Sequence, residues 1–86
     1  MEGKEGAIFM KIPLSELKEG QKGRLLRPQK QGLFRRRLME FGMIQGTEIC
    51  CLGRSPLGSP MLFRLRGTVL ALRKQDCKGL AVEVEP

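Results

Sequence analysis

A single helical pattern, Gly32 to Gly46 (GLFRRRLMEFGMIQG), interrupts a chain that is otherwise patterned for short strands. Within it Phe34, Leu38 and Phe41 recur at i, i+4 and i+7, which places them on one face of a helix. The range opens on a glycine that suits an N-cap, and Gly42 suits the C′ position, because a residue without Cβ readily adopts the left-handed conformation. We therefore predict one short helix whose apolar stripe packs on the core.

The segments around this helix alternate apolar and polar residues with a period of two, which is typical of half-buried strands. The five predicted strands lie at 22–27, 47–54, 61–66, 68–73 and 80–85. An open sheet of this size in an 86-residue chain would leave an apolar face exposed. We therefore predict a mainly β fold, a small five-stranded barrel with the one short α-helix inserted and covering an open end.

Two shorter segments complete the predicted domain. Pro13 to Leu17 predicts a single helical turn that ends before Gly20 and places its two leucines on the core as a lid. Lys74 to Lys78 predicts one turn of 3₁₀ helix before the last strand. Residues 1–9 are expected to form a flexible leader whose apolar end can add an edge strand, and residues 10–86 a single domain.

The residue types present argue against catalysis. The chain has no His, so the commonest general base and the commonest metal ligand are both missing. Cys50 and Cys51 are neighbours in a predicted strand and point to opposite faces, while Cys77 is far along the chain. Glu40 and Glu48 are not placed as a catalytic pair, and no phosphate-binding glycine motif is present. We predict no enzymatic activity, no cofactor and no metal site.

Three features of the sequence predict the compartment: the length of its apolar runs, its N-terminal pattern and its number of cysteines. No apolar run approaches the roughly 20 residues that cross a bilayer, and the N-terminus does not resemble a signal peptide. Three cysteines are too few, and odd in number, for a disulfide framework, which favours a reducing environment. We therefore expect a cytoplasmic protein with no membrane span.

Positive charge is concentrated in the middle of the chain. The net charge is +7 overall, and residues 21–73 carry eleven Lys and Arg against two Glu. The run Arg35, Arg36 and Arg37 is compatible with a phosphate-binding surface, yet the expected core claims the aromatic rings that such a surface would use for stacking. An exposed, solvated basic helix face explains the run more simply, so nucleic acid is not the expected partner.

Some apolar residues do not fit the predicted core faces: Leu33 and Met39 lie off the helical stripe, Met43 follows the helix and Leu57 sits in a turn. Loose apolar groups among arginines are typical of a protein-docking patch, although a barrel end broader than the predicted one is a slightly simpler explanation. The candidate partner-binding residues are Leu33, Arg35, Arg36, Met39, Met43 and Leu57.

A series of motifs occurs in a specific order. They are PLSELKEGQKGR, RRRLMEFGMIQGTEI, RSPLGSP, RLRGTVLALRK and a final EVEP, and together they resemble the FeoA family over Ile12 to Pro86. The resemblance implies an SH3-like β-barrel that works beside FeoB, the membrane transporter of bacterial ferrous iron uptake. It further implies a non-enzymatic accessory role through contact with the cytoplasmic part of FeoB.

Two other functions stay open from the residues alone: a small basic nucleic-acid-binding barrel and a metal-sensing module. Self-association also stays open, because a sheet of this kind can expose strand edges and Cys50 lies in a strand.

Overall fold

A computed structural model describes residues 8–29 and 32–86 and shows a six-stranded antiparallel sheet with three short helical segments. In chain order the elements are β1 (Met10–Pro13), the 3₁₀ turn η1 (Leu14–Glu16), β2 (Lys22–Leu25), α1 (Leu33–Glu40), β3 (Glu48–Arg54), β4 (Met61–Leu65), β5 (Thr68–Leu72), α2 (Lys74–Lys78) and β6 (Ala81–Val84). The strand order is β1-β6-β2-β3-β4-β5, which makes β1 and β5 the edges of the sheet.

The sheet curls around one core to which β2 to β6 each contribute buried side chains and β1 a partly buried one. The inward positions predicted from alternation are buried at all but one site, Leu70, which is half-buried. The buried members of that set are Ile49, Cys51, Met61, Phe63, Leu65, Leu72, Leu80, Val82 and Val84. The fold is therefore the mainly β small barrel with an inserted helix that the pattern predicts.

The predicted helical turn forms the lid over this core. Leu14 and Leu17 have no exposed surface, and the Leu14 N–H donates a hydrogen bond to the Leu80 carbonyl at 2.7 Å. At the other predicted turn the structure has α2, one turn of α-helix rather than 3₁₀ helix. The Arg73 carbonyl accepts from both the Asp76 and the Cys77 N–H, and the bond to Cys77 is the α-helical one.

The strand count differs from the prediction by one. β1 pairs along β6 from Met10 opposite Val84 to Pro13 opposite Ala81, so the sheet has six strands rather than five. This strand begins where the predicted leader strand would end, and its pairing is stabilised by Ile12, which packs partly buried against the core. The leader lies outside the described residues except for residues 8 and 9.

The end of α1 corrects one core prediction. Gly42 has a φ of +90° and donates its N–H to the Met39 carbonyl, while the Met43 N–H donates to the Leu38 carbonyl. These two bonds define a Schellman motif, which commonly packs the residue after the glycine against the helix. Met43 is therefore fully buried beside Leu38, and Phe41 is 49% exposed rather than part of the core stripe.

Candidate functional site

The outward surface of α1 carries four of the six predicted partner-binding residues. Leu33 is 75% exposed and Met39 50% exposed, so the helix presents two apolar side chains to solvent. Arg35, Arg36 and Met39 line a shallow groove of about 570 Å³, bordered also by Gly32 and Glu40. Here this set of Leu33, Arg35, Arg36 and Met39 is called the α1 surface. It can offer a partner both apolar area and positive charge.

One donor of Arg35, a residue that lines this groove, is buried without a described partner. Its Nε is shielded from solvent and has no hydrogen-bond acceptor among the residues that the structure describes. A shielded N–H without an acceptor is costly, because it has lost its hydration without a replacement. A partner can supply that acceptor only if the Arg35 side chain moves to expose the Nε.

The structure separates the other two predicted residues from the α1 surface. Met43 belongs to the core and has no exposed area. Its side chain therefore cannot contact a partner, contrary to the prediction. Leu57 is 95% exposed, but it lies in the turn between β3 and β4. The end of α1 lies instead beside the β4–β5 turn, since a Cβ at Gly42 would come within 2.7 Å of Arg66 Cδ. The two turns stand at opposite ends of β4.

The structure also places residues on this side that the sequence interpretation missed. Phe41 and Ile44 are about half exposed next to the end of α1, and Arg66 extends across Gly42. The signal for Phe41 was present in the sequence, because recognising Gly42 as C′ implies that the following residue, not the preceding one, packs inward. The approach of Arg66 has no local signal, since it joins segments far apart in the chain.

The cysteines are arranged as structural residues. Cys51 and Cys77 are fully buried and Cys50 is half-buried, and all three are free thiols. Burial, with smaller effects from Asp76 and Cys51, raises the pKa of Cys77 to about 12, so its thiol stays protonated. In residues 8–29 and 32–86, no three His, Cys, Asp or Glu side chains come together in a way that could hold a metal ion.

None of the helices in the described part of the chain combines the length and the apolar character that crossing a bilayer requires.

Comparison with known proteins identifies the family. A family model for the FeoA domain matches residues 12–84. The Fe(2+) transport protein A/Fe(2+) transporter FeoB fusion protein of Porphyromonas gingivalis is 32% identical over 71 residues, which are 83% of this chain and 8% of that protein. The chain thus spans less than a tenth of the length of this curated relative.

Solved structures agree in fold and in sequence. A FeoA-like protein from Clostridium acetobutylicum is 38% identical with a TM-score of 0.77, and the match covers 86% of each chain. FeoA from Stenotrophomonas maltophilia, solved with zinc and described as a prokaryotic SH3 domain protein, is 29% identical with a TM-score of 0.72 over 83% of this chain and 88% of that one. The barrel is accordingly SH3-like, and the chain belongs to the FeoA domain family.

Proposed function

We propose that this protein is a non-enzymatic accessory factor of ferrous iron transport that acts by contacting the cytoplasmic part of a FeoB-type transporter. The observation that carries the proposal is the fusion of a FeoA module to FeoB in the P. gingivalis relative. Joining two modules in one chain holds them at a high effective concentration, which benefits modules that act on each other. Separate chains with the same role must achieve that contact through their surfaces.

The chemistry of the chain supports an accessory role. The sequence contains no His, and its central carboxylates, Glu40 and Glu48, are exposed to solvent. Catalytic carboxylates are usually buried or held beside close charged neighbours. The free thiols agree with a reducing compartment, and we place the protein in the cytoplasm, where the soluble part of such a transporter would meet it.

We assign the contact to the α1 surface. Its exposed leucine and methionine lie beside Arg35 and Arg36, which line the same groove. An apolar patch with a basic rim fits an acidic, partly apolar face on the partner. Charge attraction of this kind speeds association and weakens as salt increases.

The test is a titration of the purified protein against the cytoplasmic region of its FeoB, by calorimetry at low and at physiological salt. Met39→Glu places a charge in the contact and should weaken binding by about tenfold or more, as hot-spot substitutions do. Leu57→Glu is the matched control, because it adds the same charge to an exposed apolar position at the far end of β4.

Three results would contradict the proposal. Absence of binding both to the isolated region and to the intact transporter would remove its basis. If the Met39→Glu and wild-type proteins bind with equal affinity, the α1 surface is not the site of contact. Tight, strongly salt-dependent binding to oligonucleotides in place of the transporter would point to nucleic acid instead.

A further inference from the structure

The two edges of the sheet differ in how well they are protected. β1 carries Lys11 and Pro13, and both a lysine and a proline discourage another strand from pairing at an edge. β5 has the sequence TVLAL, with neither charge nor proline, and it begins with Thr and Val, which favour strands. It has β4 on one side and no described strand on the other. β5 is therefore the edge at which an added strand would be accepted.

The backbone groups on the open side of β5 follow from the register. The β4–β5 turn has two residues, both with positive φ (50° and 79°), and it is closed by the pair Leu65 and Thr68. In such a hairpin the closing pair is hydrogen-bonded, and bonded and non-bonded pairs then alternate along the strands. Val69 and Ala71 occupy the non-bonded positions, so their N–H and C=O groups point away from β4.

The charge around this edge is entirely positive along the hairpin. Residues 61–75 contain no Asp or Glu. Arg64 lies opposite Val69, Arg66 is in the turn, and Arg73 follows the strand with its side chain 78% exposed. The Arg73 Nε lies 4.0 Å from Asp76 Oδ2, a long ion pair that leaves most of the guanidinium open to a partner. An extended segment lying along β5 would therefore pass between guanidinium groups at both of its ends, which favours an acidic segment.

The same charges argue against a second copy of this chain as the occupant. Antiparallel pairing of two β5 strands about a two-fold axis, in the register that joins Val69 to Ala71, would bring the turn of one copy, with Arg66, close to the end of β5 in the other, where Arg73 and Lys74 follow the strand. Like charges brought close together repel each other, which weakens such a pairing. Charge complementarity thus selects a partner strand with Asp or Glu at its ends.

We propose that the free edge of β5 accepts an extended, acidic segment of a partner by strand addition, through backbone hydrogen bonds to Val69 and Ala71 and charge contacts with Arg66 and Arg73. This mode of recognition takes its affinity from main-chain hydrogen bonds and its specificity from alternate side chains. The proposal rests on the proposed function in taking the cytoplasmic region of the FeoB-type transporter as the partner. The turn that begins β5 lies beside the end of α1, so the two contacts can form one continuous surface.

The first experiment removes one outward N–H. Ala71→Pro eliminates a donor that β4 does not use, and proline is tolerated at edge positions of this kind. Ala71→Ser retains the N–H and changes the side chain little, so it is the matched control. We expect affinity for the FeoB cytoplasmic region to fall by about tenfold or more in the proline variant and to change by less than about twofold in the serine variant.

The second experiment uses the wild-type protein, so it tests the proposal even if the Ala71→Pro variant fails to fold. Amide hydrogen exchange is followed by NMR on the wild-type protein, with and without the FeoB region. Binding should slow exchange at Val69 and Ala71, whereas Leu70, already bonded to β4, should be protected in both states.

A third experiment tests the charge contacts. Reversing one charge with Arg73→Glu should weaken binding to the FeoB region, and the loss of affinity should be smaller at high salt.

The outcomes separate this inference from the proposed function. If the wild-type protein binds the FeoB region but Val69 and Ala71 gain no protection, strand addition is wrong while the accessory role stands. If the wild-type protein binds neither the region nor the intact transporter, both are wrong. If the same two amides become protected in concentrated protein alone, the occupant is a second copy, and the acidic partner strand is overturned.

Discussion

The burial of Met43 in place of Phe41 can be tested by comparing two truncations to alanine. Met43 has no exposed area, whereas Phe41 is 49% exposed and follows the last helical residue, so neither substitution changes the interior of α1. Full burial of a methionine side chain is worth about 1.5–3 kcal/mol, and the cavity left by truncation raises the cost to about 2–5 kcal/mol. Truncation of a half-exposed ring removes roughly half of its burial energy, about 1 kcal/mol.

The difference is large for a domain of this size. Proteins are stable by about 0.05–0.15 kcal/mol per residue, so a loss of about 3 kcal/mol is a major part of the total for 86 residues. At about 4–8 °C per kcal/mol, Met43→Ala should lower Tm by roughly 12–24 °C and Phe41→Ala by roughly 4–8 °C. Urea unfolding followed by circular dichroism measures both free energies, provided that the slope with denaturant is unchanged.

One result would refute the reasoning. If Phe41→Ala costs as much free energy of unfolding as Met43→Ala, the ring is packed in the core and the Schellman motif does not direct Met43 inward. The sequence stripe of Phe34, Leu38 and Phe41 would then describe the packing better than the structure does.

Two further predictions concern the core. Gly23→Ala should destabilise by about 1–3 kcal/mol in urea unfolding, because its Cβ would lie 3.1 Å from the Val82 Cβ and from Val84 Cγ1; a gain in stability would contradict this packing. The free energy of unfolding should fall as pH rises from about 9 to about 12, because the unfolded Cys77 thiol ionises near 9.0 and the native one near 12. Cys77→Ala should reduce this decrease, and equal pH slopes in urea unfolding would show that the thiol is not responsible.

Most of the fold was predictable because the strands have one buried face. Alternation in β3, β4 and β6 identified inward residues such as Ile49, Phe63 and Val82, all of which are buried. A one-residue shift would turn the whole apolar set to solvent, so the pattern specifies the register as well as the strand. β1 was placed less well, since an edge strand of four residues has little burial to pattern it.

The candidate site was predictable only in part. Leu33 and Met39 were identified as off-stripe residues, and the structure has both exposed on α1. Whether they bind a partner stays a prediction. The nearness of Arg66 to Gly42 and the open edge of β5 were not predictable, because both depend on which distant segments become neighbours.

The sequence by itself determined the local structure: where strands alternate, where α1 begins and ends, and which family the chain resembles. These follow from periodicity and from glycine conformations, which act over a few residues. The tertiary structure alone decided which surfaces remain free. Closing the sheet around a limited core selected Met43 over Phe41 for burial and left one edge of β5 without a described neighbour. Burial depends on how the whole chain packs, so of two hydrophobic residues close together in sequence one can be buried and the other exposed.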